Sequence, residues 1–179
     1  MASSEIIFAG FGGQGILFSG KVIAYAGLVE GRELSWLPSY GPEMRGGTCN
    51  CSVILSDTPV GSPIIDKPNV LMVMNEPSLD KYEDTVVPGG KIFIDSSIVA
   101  RKAKREDVEV CYIPATNMAK EMGTPGLANM ILLGALIKST GCIKEETIAD
   151  ALHKVIPAKK ANMFDSNMAA ISAGENFIK

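Results

Sequence analysis

The sequence predicts an α/β fold, a single three-layer α/β/α domain with a mostly parallel sheet, and three observations carry that prediction. Apolar runs of strand length, such as IIFAG at 6–10 and NVLMVMN at 69–75, have the composition of strands buried on both faces. Segments with helical spacing of apolar residues alternate with them. The first run empties into the glycine cluster GFGGQG at 10–15, which opens a helix and so predicts a Rossmann-like glycine turn after strand one.

Taken in order, residues 6–10 form the first strand, and 16–31 form a helix whose apolar positions recur at three and four and which Gly31 closes. A short strand at 33–36 leads into the loop LPSYGPEMRGGTC, and CNCSVILS at 49–56 alternates as a strand with some antiparallel pairing would. Three prolines and a glycine make 57–68 a connection. After the strand at 69–75, EPSLDKYEDTV starts a short helix with Pro77 in its first turn. GGKIFIDSS and VEVCYIP supply two more strands, and the remainder reads as helices at 115–123, 127–141, 144–156 and 159–177.

The chain has 179 residues, enough to bury a sizeable core and short enough that one domain over 1–179 is expected. With 46% hydrophobic and 21% charged residues it has the composition of a globular protein. A net charge of −3 gives no general attraction to nucleic acid or to anionic membranes. Arg101, Lys102, Lys104 and Arg105 form a local basic run without aromatic neighbours, which reads as a solvated face. No stretch approaches a membrane span, and Met1 to Glu5 lacks the basic start of a secretion signal, so a cytoplasmic protein is expected. Cys49, Cys51, Cys111 and Cys142 match no zinc or iron–sulfur spacing, and Cys49 and Cys51 share one strand face as small buried thiols. His153 stands alone, without a second histidine or a paired carboxylate at helical spacing, so no metal site is expected.

Two glycine-rich bends carry the functional signal. Gly10, Gly12 and Gly15 have the G-x-G-x-x-G spacing that brings backbone N–H groups and a helix N-terminus to an anion such as a pyrophosphate. A nicotinamide site would add an acid about twenty residues on, for which Glu30 and Glu33 are the candidates. A Walker loop is excluded, because Gly20-Lys21 is followed by Val22. The glycines could equally serve close packing of helix on strand. The second bend, SYGPEMRGG, joins the turn-forming Gly41 and Pro42 to the opposite charges Glu43 and Arg45 and the permissive Gly46 and Gly47. Its plainest reading is a surface ion pair; its composition favours contact with a partner or cofactor.

Taken together, GFGGQG, SYGPEMRGG, NVLMVMNEPSLDKY, NMILLGAL and NMAAISAG make the sequence resemble the gamma subunit, or domain III, of the 2-oxoacid:ferredoxin oxidoreductases, over Glu5 to about Gly174. The resemblance implies a non-autonomous enzyme subunit. Such enzymes convert a 2-oxoacid, coenzyme A and oxidised ferredoxin to acyl-CoA, CO2 and reduced ferredoxin. Thiamine diphosphate, magnesium and the iron–sulfur clusters are then expected on the alpha, beta and delta partner subunits. Within this chain no catalytic or metal-binding residue is assigned. Gly12, Gly13, Gln14 and Gly15 are candidates for receiving coenzyme A, and Gly41, Pro42, Glu43, Arg45, Gly46 and Gly47 for tying the second bend to partner subunits or to that cofactor. Asn129 and Asn167 match family positions, where helix capping or interhelix bonding is the expectation. The rival readings are a stand-alone NAD(P)-dependent Rossmann oxidoreductase and a scaffold without catalysis. Among 2-oxoacids, 2-oxoglutarate or a branched-chain acid is favoured.

Overall fold

Strand period and helix period sort the chain into one mixed sheet and six helices in the computed structural model, which describes residues 3–40 and 47–178. The strands are β1 (Ser4–Phe11), β2 (Glu33–Tyr40), β3 (Thr48–Ser56), β4 (Val70–Val73), β5 (Lys91–Asp95) and β6 (Glu109–Ile113). Their order across the sheet is β2-β3-β1-β4-β5-β6. From β1 through β4 and β5 to β6 every pairing is parallel, whereas β3 runs antiparallel to both β1 and β2. The mostly parallel sheet and the antiparallel element expected for 49–56 are both present.

Alternation along the strands builds two cores. Ile6 and Phe8 of β1, Cys51 and Val53 of β3, Met72 of β4 and Phe93 of β5 face one side; Ile7, Ala9, Ile54, Leu71, Val73, Ile92 and Ile94 face the other. The helices are α1 (Ile16–Val29), α2 (Glu76–Tyr82), α3 (Ala115–Glu121), α4 (Ala128–Thr140), α5 (Ile148–Val155) and α6 (Phe164–Phe177). Five of them supply residues to the first core, and α4 is buried along nearly its whole length. The second core is closed by α2 with irregular chain around Ile65, Val86 and Val99. The three layers are therefore unequal, because the crossovers after β4 and β5 contain little helix.

Helix ends follow the local chemistry. Asn75 caps α2, its Oδ1 accepting from the Ser78 N–H at 2.8 Å, with Pro77 in the first turn. Gly141 ends α4 at φ +60°. The helix expected over 159–177 is divided: Ala158–Met163 is a 3₁₀ segment broken at Lys160 (φ −117°, ψ 19°), and α6 begins at Phe164.

The basic run at 101–105 is a solvated face only in part: Lys102 and Lys104 are exposed, whereas Arg101 and Arg105 are anchors. Arg101 Nη2 meets Glu83 Oε1 and Asp80 Oδ1, each at 2.6 Å, and the Glu83 side chain is buried. Arg105 Nη1 donates to the carbonyls of Glu83 and Val86, at the start and the end of the short 3₁₀ segment after α2. Lys102 lies over the Tyr112 ring. Sequence spacing could not place these cations opposite α2, because the contact joins two crossovers across the second face.

Candidate functional site

The glycine turn lies at the carboxyl end of β1, the edge where open parallel sheets bind ligands. The Gln14 side chain locks it: Oε1 accepts from the Phe11 N–H at 2.7 Å and Nε2 donates to the Met74 carbonyl at 3.0 Å. This amide thus ties the turn to the ends of β1 and β4. Gly10 leaves room for that lock, since a Cβ there would stand 2.6 Å from Gln14 Oε1 and 2.8 Å from Ile16 Cδ1.

The backbone donors of the turn divide two and two. Gly12 N–H donates to the Gly47 carbonyl at 3.0 Å, and Gln14 N–H to the Phe11 carbonyl at 3.2 Å. The N–H groups of Gly13 and Gly15 have no acceptor among the described residues. Gly13 at φ +95° and Gly15 at φ +78° hold the left-handed conformations that glycine adopts without strain, one on each side of Gln14. Gly15 also precedes α1, whose first-turn N–H groups and dipole favour an anion.

Asn129 of α4 supports the turn from below. Its Nδ2 donates to the Gly15 carbonyl and to Ser19 Oγ, both at 3.1 Å, in a buried setting. A Cβ on Gly15 would collide with this amide. The interhelix bonding expected of Asn129 is present, directed at the glycine turn. Asn167 of α6 bonds within its own chain segment, Nδ2 donating to the Met163 carbonyl at 2.8 Å, while its Oδ1 is buried without a partner.

Gly13 and Gly15 line a cavity of about 360 Å³ that also touches Phe18, Lys21, Asn129, Lys160 and Asn167. Its walls are mostly apolar and include Lys21 of α1, whose Nζ stands 5.8 Å from the Tyr25 ring centroid, and Lys160 of the segment between α5 and α6. Lys21 and Lys160 escaped the sequence reading; Lys21 lies six residues past Gly15 on the helix, a spacing that could have flagged it, whereas nothing local marks Lys160.

Of the second bend, Gly47 adjoins the glycine turn through the Gly12 bond. Gly41, Pro42, Glu43, Arg45 and Gly46 lie outside the described residues. The acids proposed for a nicotinamide ribose are elsewhere. Glu30 follows the last turn of α1, about 21 Å of helix from Gly15, and its Oε1 accepts from Lys144 N–H and Thr147 Oγ1. Glu33 begins β2 at that same far end.

Among the described residues no three His, Cys, Asp or Glu side chains gather to hold a metal ion. Burial pushes the Cys51 thiol up to about 12 and raises Cys142 as well, so neither thiolate is available near neutrality. No helix among the described residues is long and apolar enough to cross a membrane.

The model of the pyruvate ferredoxin/flavodoxin oxidoreductase family matches residues 5–177. Ketoisovalerate oxidoreductase subunit VorA of Methanothermobacter marburgensis is 40% identical over 177 residues; the match takes in 98% of this chain, which spans only 36% of that relative's length. The 2-oxoglutarate synthase subunit KorC of Methanocaldococcus jannaschii is 34% identical, with 98% of this chain and 94% of that one covered. Among solved structures, the gamma subunit of a keto/oxoacid ferredoxin oxidoreductase from Geobacter sulfurreducens superposes with a TM-score of 0.85 at 29% identity, covering 98% and 96% of the two chains. The 2-oxoglutarate:ferredoxin oxidoreductase of Magnetococcus marinus, solved with 2-oxoglutarate, coenzyme A and succinyl-CoA bound, gives 0.88 at 26% identity over 100% of this chain and 32% of that one. With its glycine turn, sheet order and helices all inside the matched span, the chain belongs to the pyruvate ferredoxin/flavodoxin oxidoreductase family, in its gamma-type branch.

Proposed function

We propose that this chain is the gamma subunit of a 2-oxoacid:ferredoxin oxidoreductase and that its glycine-turn cavity receives a phosphate-bearing part of coenzyme A. The observation that carries the second statement is that Gly13 and Gly15, whose N–H groups have no acceptor among the described residues, line a cavity that Lys21 also lines. Two amides, a helix N-terminus and an ammonium suit a phosphate, and the apolar walls suit the organic part of the same molecule. Coenzyme A bound in the Magnetococcus relative supports this choice of ligand. Gly12 and Gln14 act indirectly, holding the turn in shape. Glu43 and Arg45 reach the cofactor or a partner subunit from the adjoining bend.

Decarboxylation on thiamine diphosphate and single-electron transfer through iron–sulfur clusters to ferredoxin fall to alpha, beta and delta subunits. This chain positions coenzyme A at their edge and docks them. The names of the relatives favour a branched-chain 2-oxoacid or 2-oxoglutarate as substrate.

Turnover by the assembled complex tests both parts. Lys21→Gln raises KM for coenzyme A severalfold while leaving KM for the 2-oxoacid near its original value; an unchanged coenzyme A dependence removes the cavity from the reaction. Arg45→Ala raises the same KM if that side chain meets the cofactor, whereas weakened assembly with normal coenzyme A dependence assigns it to a partner subunit. Comparing acyl-CoA formation from pyruvate, 2-oxoglutarate, branched-chain acids and indolepyruvate fixes the substrate.

A further inference from the structure

The wall of the cavity opposite the glycine turn is the connection from α5 to α6. Residues 157–163 are all exposed on their outer side, and Pro157, Lys160 and Met163 line the cavity on the inner. Among the described residues, no hydrogen bond joins this segment to β1, α1 or α4; Lys160 N–H bonds to Pro157 and Met163 is reached only by Asn167. Its backbone is a 3₁₀ turn interrupted at Lys160. Segments with few buried contacts and only local bonds open at low cost in free energy.

Two small fixtures hold it down. His153 at the end of α5 stacks on Phe164 at the start of α6, with ring centroids 4.1 Å apart and planes 9° from parallel. Asn167 Nδ2 holds the Met163 carbonyl, yet the Oδ1 of that same amide is buried and unpaired. A half-satisfied buried amide is a weak lock, because the closed position forfeits a hydrogen bond that water would restore on opening. The segment also carries Lys159 and Lys160, so its closing brings positive charge to the cavity.

We propose that residues 157–163 are a ligand-operated strap, closing over the glycine-turn cavity on an anionic ligand and bringing Lys160 to it. The strap rests on the reading of this cavity as a coenzyme A site. Because the strap lines the cavity, a ligand that contacts it binds the closed form more tightly than the open one, and saturating ligand holds the strap shut.

Hydrogen–deuterium exchange of the full chain, free, with coenzyme A and with inorganic pyrophosphate, tests this. In the free chain 157–163 exchanges faster than α5 and α6 on either side. With coenzyme A at about a hundred times its Kd, exchange through strap opening slows by up to about a hundredfold. His153→Ala, an exposed position, speeds exchange of the free strap and weakens coenzyme A binding severalfold through faster dissociation. Calorimetric binding of coenzyme A with unchanged exchange at 157–163 overturns the strap and leaves the cofactor assignment standing. Slowing by pyrophosphate but not by coenzyme A supports the strap and overturns the cofactor assignment. Slowing by neither ligand overturns the strap, and absence of coenzyme A binding overturns the assignment with it.

Discussion

At the scale of single residues, four glycines of one cluster do different work. Gly10 makes room for the Gln14 lock, Gly12 spends its N–H on Gly47, and only Gly13 and Gly15 offer donors. Among the described residues a Cβ on Gly13 meets nothing within 4 Å, so the obstacle they present to a side chain is the φ of +95°. Gly13→Ala should cost about 1 kcal/mol, lowering the melting temperature by about 3 °C. Gly15→Ala adds a collision with Asn129 and should lower it at least twice as far, which differential scanning calorimetry resolves. The Cys51 thiol gives a prediction with a sign. Its folded pKa, about 12, exceeds its usual value of 9.0, so the stability it contributes is intact below pH 9 and is lost as pH rises toward 12. By pH 10.5 that loss is about 2 kcal/mol. Urea unfolding at pH 8 and 10.5 should show Cys51→Ala losing less stability over that interval than the parent chain. The strand alternation of Cys49 and Cys51 made their shared face legible; the weight of burial on Cys51 came from Gly20 of α1 pressing against it.

At the scale of elements, contacts between distant segments decide what local pattern cannot. Helices α4 and α6 cross so closely at Gly134 and Gly174 that a Cβ on either would overlap the other helix's backbone. Gly134→Ala should therefore destabilise by about 3 kcal/mol, at the severe end of overpacking, as measured by the midpoint of urea unfolding. The Arg101–Glu83 pair clips the chain after β5 to the end of α2. Arg101→Ala strands a buried carboxylate and should cost about 3 kcal/mol; pairing it with Glu83→Gln should recover much of that loss. Sequence pattern found every strand and the main helices, but it ended β2 at 36 and gave 37–40 to the loop; the structure continues that strand to Tyr40 opposite β3, because an edge strand tolerates Pro38. The pattern also merged the strap with α6, since KKANM has helix-compatible residues and only the packing of Met163 and Asn167 shows where the helix begins.

At the scale of the whole molecule, one sheet edge gathers the glycine turn, Gly47, the amide of Asn129 and the strap, while Glu30 and Glu33 stand at the opposite edge. Tight binding of NADH or NADPH is accordingly not expected, and titration of the full chain with either checks it. The sequence by itself determined the strand–turn–helix opening, the buried strands and the family, because these follow from residue order and spacing within short stretches. Only the tertiary structure decided which amides stay free, that Asn129 braces Gly15 from 114 positions away, and that Lys21 faces a cavity shared with Lys160. Hydrogen-bond partners and shared cavities depend on distances through space, and those are set only when the sheet order brings remote segments to one edge.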